Sequence, residues 1–255
     1  MERTVVMAKL GAESESAVDA GVDGRHVAAI ELLGVIAAFR DGDEMRRVLD
    51  GVDLAVRAGE LVAVMGPSGS GKTTLLNVAA GLVRPSGGEV VVDGTRIESA
   101  SRDVLARIWR TSVGIVEQRS NLLDDMTVSD NVGLPLELGG ARGAQVREAV
   151  NDALRSVGLE SRSGSRAGDL STGQQQLVAI ARALVGGRHI VVADEPTAAL
   201  DPLAGEAVMK VLRRRCDAGA AALVATHDPE HAAWADRVLV LRDGALRTVA
   251  AGGVA

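Results

Sequence analysis

One eight-residue segment constrains this chain more than any other feature. Gly66-Pro67-Ser68-Gly69-Ser70-Gly71-Lys72-Thr73 fits G-x-x-x-x-G-K-[ST]. It follows an apolar run, ELVAVM, and opens a helical pattern, TTLLNVAAGL. A strand that turns through glycines into a helix leaves backbone N–H groups free at one point. The helix dipole adds positive potential there, and the result is a nest for phosphate. In such a loop Lys72 reaches the β- and γ-phosphates, the Thr73 hydroxyl ligates Mg²⁺, and Thr74 carries the helix on beside them.

Composition narrows the class further. The 255 residues are 47% apolar and 24% charged, which is globular and excludes wholesale disorder. No apolar run reaches the ~18 residues of a membrane helix. Residues 1–26 mix Ala, Gly, Glu, Ser and Asp without periodicity and lack the apolar stretch of a signal peptide. They read as a flexible extension on a chain expected in the cytosol. Cys216 is the sole cysteine, so no intramolecular disulfide and no cysteine-rich zinc site can form; it reads as inert filler. A net charge of −6 and only three aromatic residues, Phe39, Trp109 and Trp234, argue against nucleic acid as a partner.

Strand-like patterns cover 27–39, 48–56, 60–65 and 88–97, the last with a turn at Asp93-Gly94. Helices are predicted over 73–82 and 101–110, and a strand over 113–118. Thr127 with Asp130 forms a capping box before a helix that Pro135 should interrupt. Residues 145–157 place Val146, Val150, Leu154 and Val157 on one helical face. A Ser/Gly/Arg loop then precedes a helix over 173–184. Beyond it strands (190–193, 221–226, 237–241) alternate with helices (203–215, 229–235). HIVVAD and AALVATH are continuous apolar runs, as buried parallel strands should be. Arg213-Arg214-Arg215 reads as a solvated helix end.

Two further segments carry chemistry. The strand over 190–193 ends in Asp194 and Glu195. Beside a phosphate loop, Asp194 would hold the Mg²⁺ and its waters, and Glu195 would orient or deprotonate the attacking water. Leu170-Ser171-Thr172-Gly173-Gln174-Gln175-Gln176 opens a helix with small residues. Taken alone, Ser171 or Thr172 is a helix cap. The same helix N-terminus is also a second anion site, redundant within one chain that already has Gly66–Thr73.

Here the chain resembles the ABC-type ATPases, the nucleotide-binding subunits of ABC transporters. The resemblance covers residues 27–249 and rests on ordered motifs: GPSGSGKT, the Gln of VEQ, LSTGQQQ, VVADEPT, AALD and VATHD. It implies that Gln118 contacts Mg²⁺ and the attacking water, although a strand-end Gln can also be an ordinary polar residue. Ser171, Gly173 and Gln174 would belong to the signature that acts on the ATP of a second copy. Asp201, in Ala199-Leu200-Asp201, would lie in the loop linking the two sites. His227 would contact the γ-phosphate; its competing role is a cap before Asp228-Pro229. Phe39 stands where the family stacks an aromatic on adenine; its competing role is a strand core residue. Thr172, Leu177 and Glu117 depart from the family's pattern.

The resemblance further implies an α/β fold: a P-loop NTPase core with a parallel sheet, an N-terminal antiparallel β-subdomain and a helical insertion over about 100–175. The ATP-binding domain would span 27–250, with a tail at 251–255, and the short stretch beyond His227 leaves no room for a regulatory domain. One phosphate loop and one signature imply a homodimer around two ATP. NLLDDMTVSDNVGLPLEL, LLNVAAGL and ADEPTAALDPLAGEAVM are similar to the macrolide-exporter, lipoprotein-releasing and cell-division group. Those relatives work with integral membrane permeases, which would hold this chain on the inner face of the membrane. The implied function is ATP hydrolysis driving export or extraction of lipid, lipoprotein or peptide. The alternatives are a non-transport mechanical regulator of envelope enzymes and a soluble ATPase of DNA repair or translation. Repair types insert a coiled coil and translation types carry two cassettes; this chain shows neither.

Overall fold

Why the phosphate loop sits where it does follows from two sheets. A computed structural model describes residues 28–42 and 44–248. The expected extension at 1–26 and the tail at 251–255 lie outside the described residues. β1 (Ala28–Asp41) and β2 (Glu44–Arg57) form a long antiparallel hairpin in which Phe39 faces Arg46. β4 (Gly87–Val92) lies on the other side of β1, and β5 (Thr95–Arg96) closes the order β2-β1-β4-β5. The turn between them puts Asp93 and Gly94 at φ 48° and 69°. Two left-handed residues in succession match the twist of an antiparallel pair.

The second sheet has the order β10-β9-β3-β8-β7-β6. Its strands are β3 (Leu61–Met65), β6 (Val113–Val116), β7 (Ile190–Asp194), β8 (Ala221–Ala225), β9 (Arg237–Arg242) and β10 (Ala245–Thr248). Each of the pairs β3–β8, β3–β9, β6–β7 and β7–β8 is parallel, and β10 returns antiparallel along β9. β7 and β8 are buried at every residue, which is why both are continuous apolar runs. With β8 between β3 and β7, three adjacent C-terminal strand ends converge. They deliver the phosphate loop, Asp194-Glu195 and Thr226-His227 to one crevice.

Among the described residues seven α-helices cover these sheets: α1 (Lys72–Ala79), α2 (Arg102–Thr111), α3 (Val128–Leu138), α4 (Ala144–Ser156), α5 (Thr172–Leu184), α6 (Pro202–Asp217) and α7 (Pro229–Ala232). α1 buries Leu75, Leu76 and Val78 between the two sheets. Full burial of such side chains contributes about 1.5–3 kcal/mol each. Leu105 and Ile108 of α2 join the same cluster, and Trp109 donates its indole N–H to the Ala80 carbonyl at 2.8 Å. A second cluster lies under α5 and α6 and takes in the partly buried Trp234. A third is built by α3, α4 and α5 around Val132, Val150, Leu154 and Val178. Gly114 in β6 lets α5 approach backbone to backbone; a Cβ there would strike the Ala183 carbonyl. Among the described residues, no helix is long and apolar enough to cross a membrane.

Some expectations need correcting. Pro135 does not interrupt α3, which runs on to Leu138. The proline removes one donor, the one the Asn131 carbonyl would have met, and the last turn closes with Gly139 N–H on the Pro135 carbonyl at 3.1 Å. β10 was not anticipated; Asp243 and Gly244, at φ 51° and 76°, make the turn that allows it. Arg213 and Arg215 are ties rather than a solvated helix end. Arg213 donates to Asp236 at 2.7 Å and to the Gly59 carbonyl at 3.0 Å, and Arg215 to the Leu184 carbonyl at 2.6 Å. Cys216 is buried, and burial pushes its thiol up to about 12, so it stays protonated and unreactive.

Candidate active site

β3 ends at Met65, and the chain curls through Gly66–Gly71 before α1 begins. Gly71 occupies the cap position at φ 102° and supplies no side-chain cap; the first turn holds no acid. The free N–H groups and dipole of α1 therefore face the loop without a competing anion. Two glycines are required by space. A Cβ on Gly71 would stand 2.7 Å from Val48, and one on Gly66 would run into the Leu241 carbonyl. Lys72 Nζ donates to the carbonyls of Gly66 (2.8 Å) and Pro67 (3.2 Å), folding its cation over the loop. Ser70 Oγ is buried there and has no hydrogen-bond partner. An orphaned hydroxyl, a cation and uncapped N–H groups around one curl fit a polyphosphate.

Opposite the loop stand the acids of β7. Thr73 Oγ1 donates to Asp194 Oδ2 at 2.6 Å, tying α1 to β7. Burial raises the Asp194 carboxyl above its ordinary range; the Thr73 bond and Lys72 oppose this and neighbouring Glu195 adds to it. Glu195 sits at φ 48°, a left-handed backbone rare for a residue with a side chain. Its Oε2 meets His227 Nδ1 at 2.9 Å; the His side chain is 71% exposed and the Glu only 11%.

These groups line one cavity of about 630 Å³. Gly66, Ser68, Gly69, Gly71, Lys72, Thr73 and Thr74 form its floor, and Pro67 and Ser70 complete the loop. Gln118, just past β6, Asp194, Glu195 and His227 form one wall. Phe39 lies at the far end and is 42% exposed, which rules out a place in the core. Arg40, Arg46 and Val48 line the same end and were not foreseen. The register that sets Arg46 across from Phe39 is a property of the hairpin, and an arginine near a strand end carries no signal by itself.

Four candidates lie elsewhere. Ser171 and Gln174 cap α5 reciprocally: Ser171 Oγ accepts from Gln174 N–H at 3.3 Å, and Gln174 Oε1 from Ser171 N–H at 3.1 Å. A Cβ on Gly173 would stand 3.3 Å from the Ala199 carbonyl and 3.5 Å from Leu200. Asp201 caps α6, accepting from Ala204 N–H at 3.0 Å. None of the four lines the cavity.

Comparison with known proteins agrees with this geometry. The model of the family described as ABC transporter matches residues 49–198. The chain belongs to the ABC transporter family. The macrolide export ATP-binding/permease protein MacB of Photorhabdus laumondii is 42% identical over 217 residues, 85% of this chain and 34% of that protein. MacB of Azoarcus sp. is 44% identical over 215 residues, 84% of this chain and 33% of its own. The ABC chain therefore spans about a third of the length of these curated relatives. The fold matches the ATP-binding cassette MJ0796 in a dimeric post-hydrolysis state bound to ADP and Pi. That match has a TM-score of 0.82 and 37% identity, and covers 88% of this chain and 100% of the other. CbiO1 of Clostridium perfringens, part of the ABC transporter complex cbiONQ, gives 0.75 at 28% identity, with 86% and 87% covered. As an ABC cassette the chain binds ATP and is an ATPase, built as the expected α/β fold.

Proposed function

We propose that this cassette is the motor subunit of a membrane transporter, in which two copies close around two ATP molecules and drive a separate permease. One observation carries the reading: each cavity holds a phosphate loop, two acids and His227, while Ser171, Gly173 and Gln174 lie outside it. A second copy, turned about a two-fold axis, supplies what each site lacks. The dimeric MJ0796 cassette supports this arrangement. Light scattering with and without Mg-ATP tests it. The mass should double with nucleotide and return as ATP is consumed; a mass indifferent to nucleotide overturns the dimer.

In this reading Lys72 and the loop N–H groups bind the β- and γ-phosphates, and Phe39 stacks on adenine. Glu195 orients the attacking water and takes its proton; His227 contacts the γ-phosphate. Thr73, Asp194 and Gln118 would hold Mg²⁺, an all-oxygen donor set suited to a hard cation, which would neutralise charge on the phosphates. Thr73 and Asp194 already stand 2.6 Å apart and line the same cavity as Gln118. Mg²⁺ characteristically makes do with one carboxylate, a hydroxyl and the substrate's own oxygens. Asp194, raised by burial, is the kind of carboxyl that a cation relieves.

The permease partner has a candidate surface. The loop after Gln118 exposes Leu123 at 47%, beside Asp124 and Asp125. Its backbone is fixed by fully buried Asn131, which accepts from Leu123 N–H at 2.8 Å and donates to the Leu123 carbonyl at 3.0 Å. An apolar side chain on a fixed backbone, rimmed by acids, fits a cytoplasmic segment of a membrane protein. Leu123→Asp should leave melting and ATP binding unchanged and cut recovery of the co-expressed permease several-fold. An apolar hot spot of this kind carries on the order of 2 kcal/mol or more. Full recovery of the complex would place the docking surface elsewhere. The relatives' names, macrolide export ATP-binding/permease, support export as the work done.

A further inference from the structure

Behind the Glu195–His227 pair stands a second histidine that no motif predicts. His231 lies in α7, four residues after His227, with its side chain 15% exposed. Its Nδ1 is 2.9 Å from Thr197 Oγ1 and 3.2 Å from Asp228 Oδ2. Nδ1 is therefore hydrogen-bonded to the Thr197 hydroxyl and stands at ion-pair distance from the Asp228 carboxylate. Asp228 is itself fixed: its Oδ1 accepts from Glu230 N–H at 2.8 Å, and its own N–H donates to Thr226 Oγ1 at 3.1 Å. The ring packs over Gly205 of α6. A Cβ on Gly205 would come within 3.0 Å of His231 Nε2.

These contacts close a circuit. The chain runs from Glu195 through Pro196 to Thr197, whose hydroxyl meets His231. His231 meets Asp228, Asp228 is bonded to His227, and His227 returns to Glu195 at 2.9 Å. Glu195 needs such a frame. Its left-handed backbone costs on the order of 1–3 kcal/mol and persists only where neighbours over-determine it. Its own N–H is held by the Ala225 carbonyl at 2.9 Å, and Thr197, two residues on, is the first buried polar side chain after it. Thr197, Asp228, His231 and Trp234 share the wall of a second cavity, of about 510 Å³, with Glu195 and His227. They do not line the first.

We propose that His231 is a positioning residue for ATP hydrolysis: through Thr197 and Asp228 it fixes where Glu195 and His227 stand, and it touches neither nucleotide nor water. The proposal rests on the roles given above to Glu195 and His227. Misplacing a catalytic group by about 1 Å can cost up to ~100-fold in rate, and loosening one link of the circuit is a smaller disturbance, of about ten-fold. Binding of ATP uses the other side of the site and should be spared.

The test is steady-state ATPase of the full chain with Thr197→Val, His231→Leu, both together, and His231→Asn. Val keeps the shape of Thr and removes its hydroxyl; Asn places an amide, able to donate or accept, near where Nδ1 stands. Thr197→Val and His231→Leu should each lower kcat about ten-fold with KM for ATP within about two-fold, the signature of a lost transition-state contribution. The double variant should be no slower than the worse single, because both break one circuit. His231→Asn should recover most of kcat. If His231→Leu does not fold, Thr197→Val and His231→Asn carry the test. Wild-type kcat in Thr197→Val, or additive losses in the double variant, overturns the proposal while leaving Glu195 in its role. A Glu195→Gln variant that hydrolyses normally overturns the assignment of Glu195 itself.

Discussion

Glu195→Gln is expected to bind ATP like the wild-type chain and to lose turnover by roughly 10²–10⁴-fold, the usual contribution of a positioned general base. The substitution is nearly isosteric, and the amide can still meet His227 Nδ1, 2.9 Å away in the wild type. The left-handed backbone at Glu195 and its N–H bond to Ala225 are untouched. What disappears is the negative charge and the capacity to take a proton. ATP would then remain between the phosphate loop of one copy and the signature of the other. Dimers should accumulate in light scattering and dissociate only as nucleotide is removed. Turnover above a tenth of wild type would take Glu195 out of the chemical step.

Lys72→Ala is expected to weaken ATP binding by about 3 kcal/mol, roughly a hundred-fold in Kd. Lys72 Nζ rests on the Gly66 and Pro67 carbonyls, so its hydrogen bonds lie within the loop and removing it should barely alter melting without nucleotide. The contrast lies in the ligand effect. Saturating ATP raises the melting temperature of any chain that binds it only when folded, and in Lys72→Ala that rise should shrink to a small fraction at concentrations that saturate wild type. A normal ATP-induced shift in the variant would mean that the cation is not aimed at phosphate.

What could be read from the chain itself has a physical pattern. The phosphate loop and the Asp194-Glu195 pair are contiguous, and each depends on a strand whose apolar run announces it. Gln118 and His227 follow such strands too, but only the family resemblance singled them out. The long-range contacts were not legible. Arg46 reaches the cavity through the β1–β2 register. His231 meets Thr197 across 34 residues, and its ring lies close over Gly205, where a Cβ would crowd it. Nothing in a local pattern encodes either. β10 is short and only partly buried, with Arg and Thr among its four residues, so alternation is too weak to mark it. Ser171 shows the opposite difficulty: a capping box explains it fully within one copy, so its place outside the cavity had to be seen in three dimensions.

The scarcity of aromatic residues gives the molecule an optical economy. With two tryptophans and no tyrosine, its near-ultraviolet absorption and emission come almost wholly from two indoles. Trp109 is locked by its bond to Ala80, next to the cluster that joins the sheets. Trp234 is part of the cavity wall that holds His231, Asp228 and Thr197. Trp109→Phe would leave a single fluorophore stationed at the circuit behind Glu195. Any rearrangement there during the ATP cycle would then be visible as a spectral shift, without a label attached to the chain.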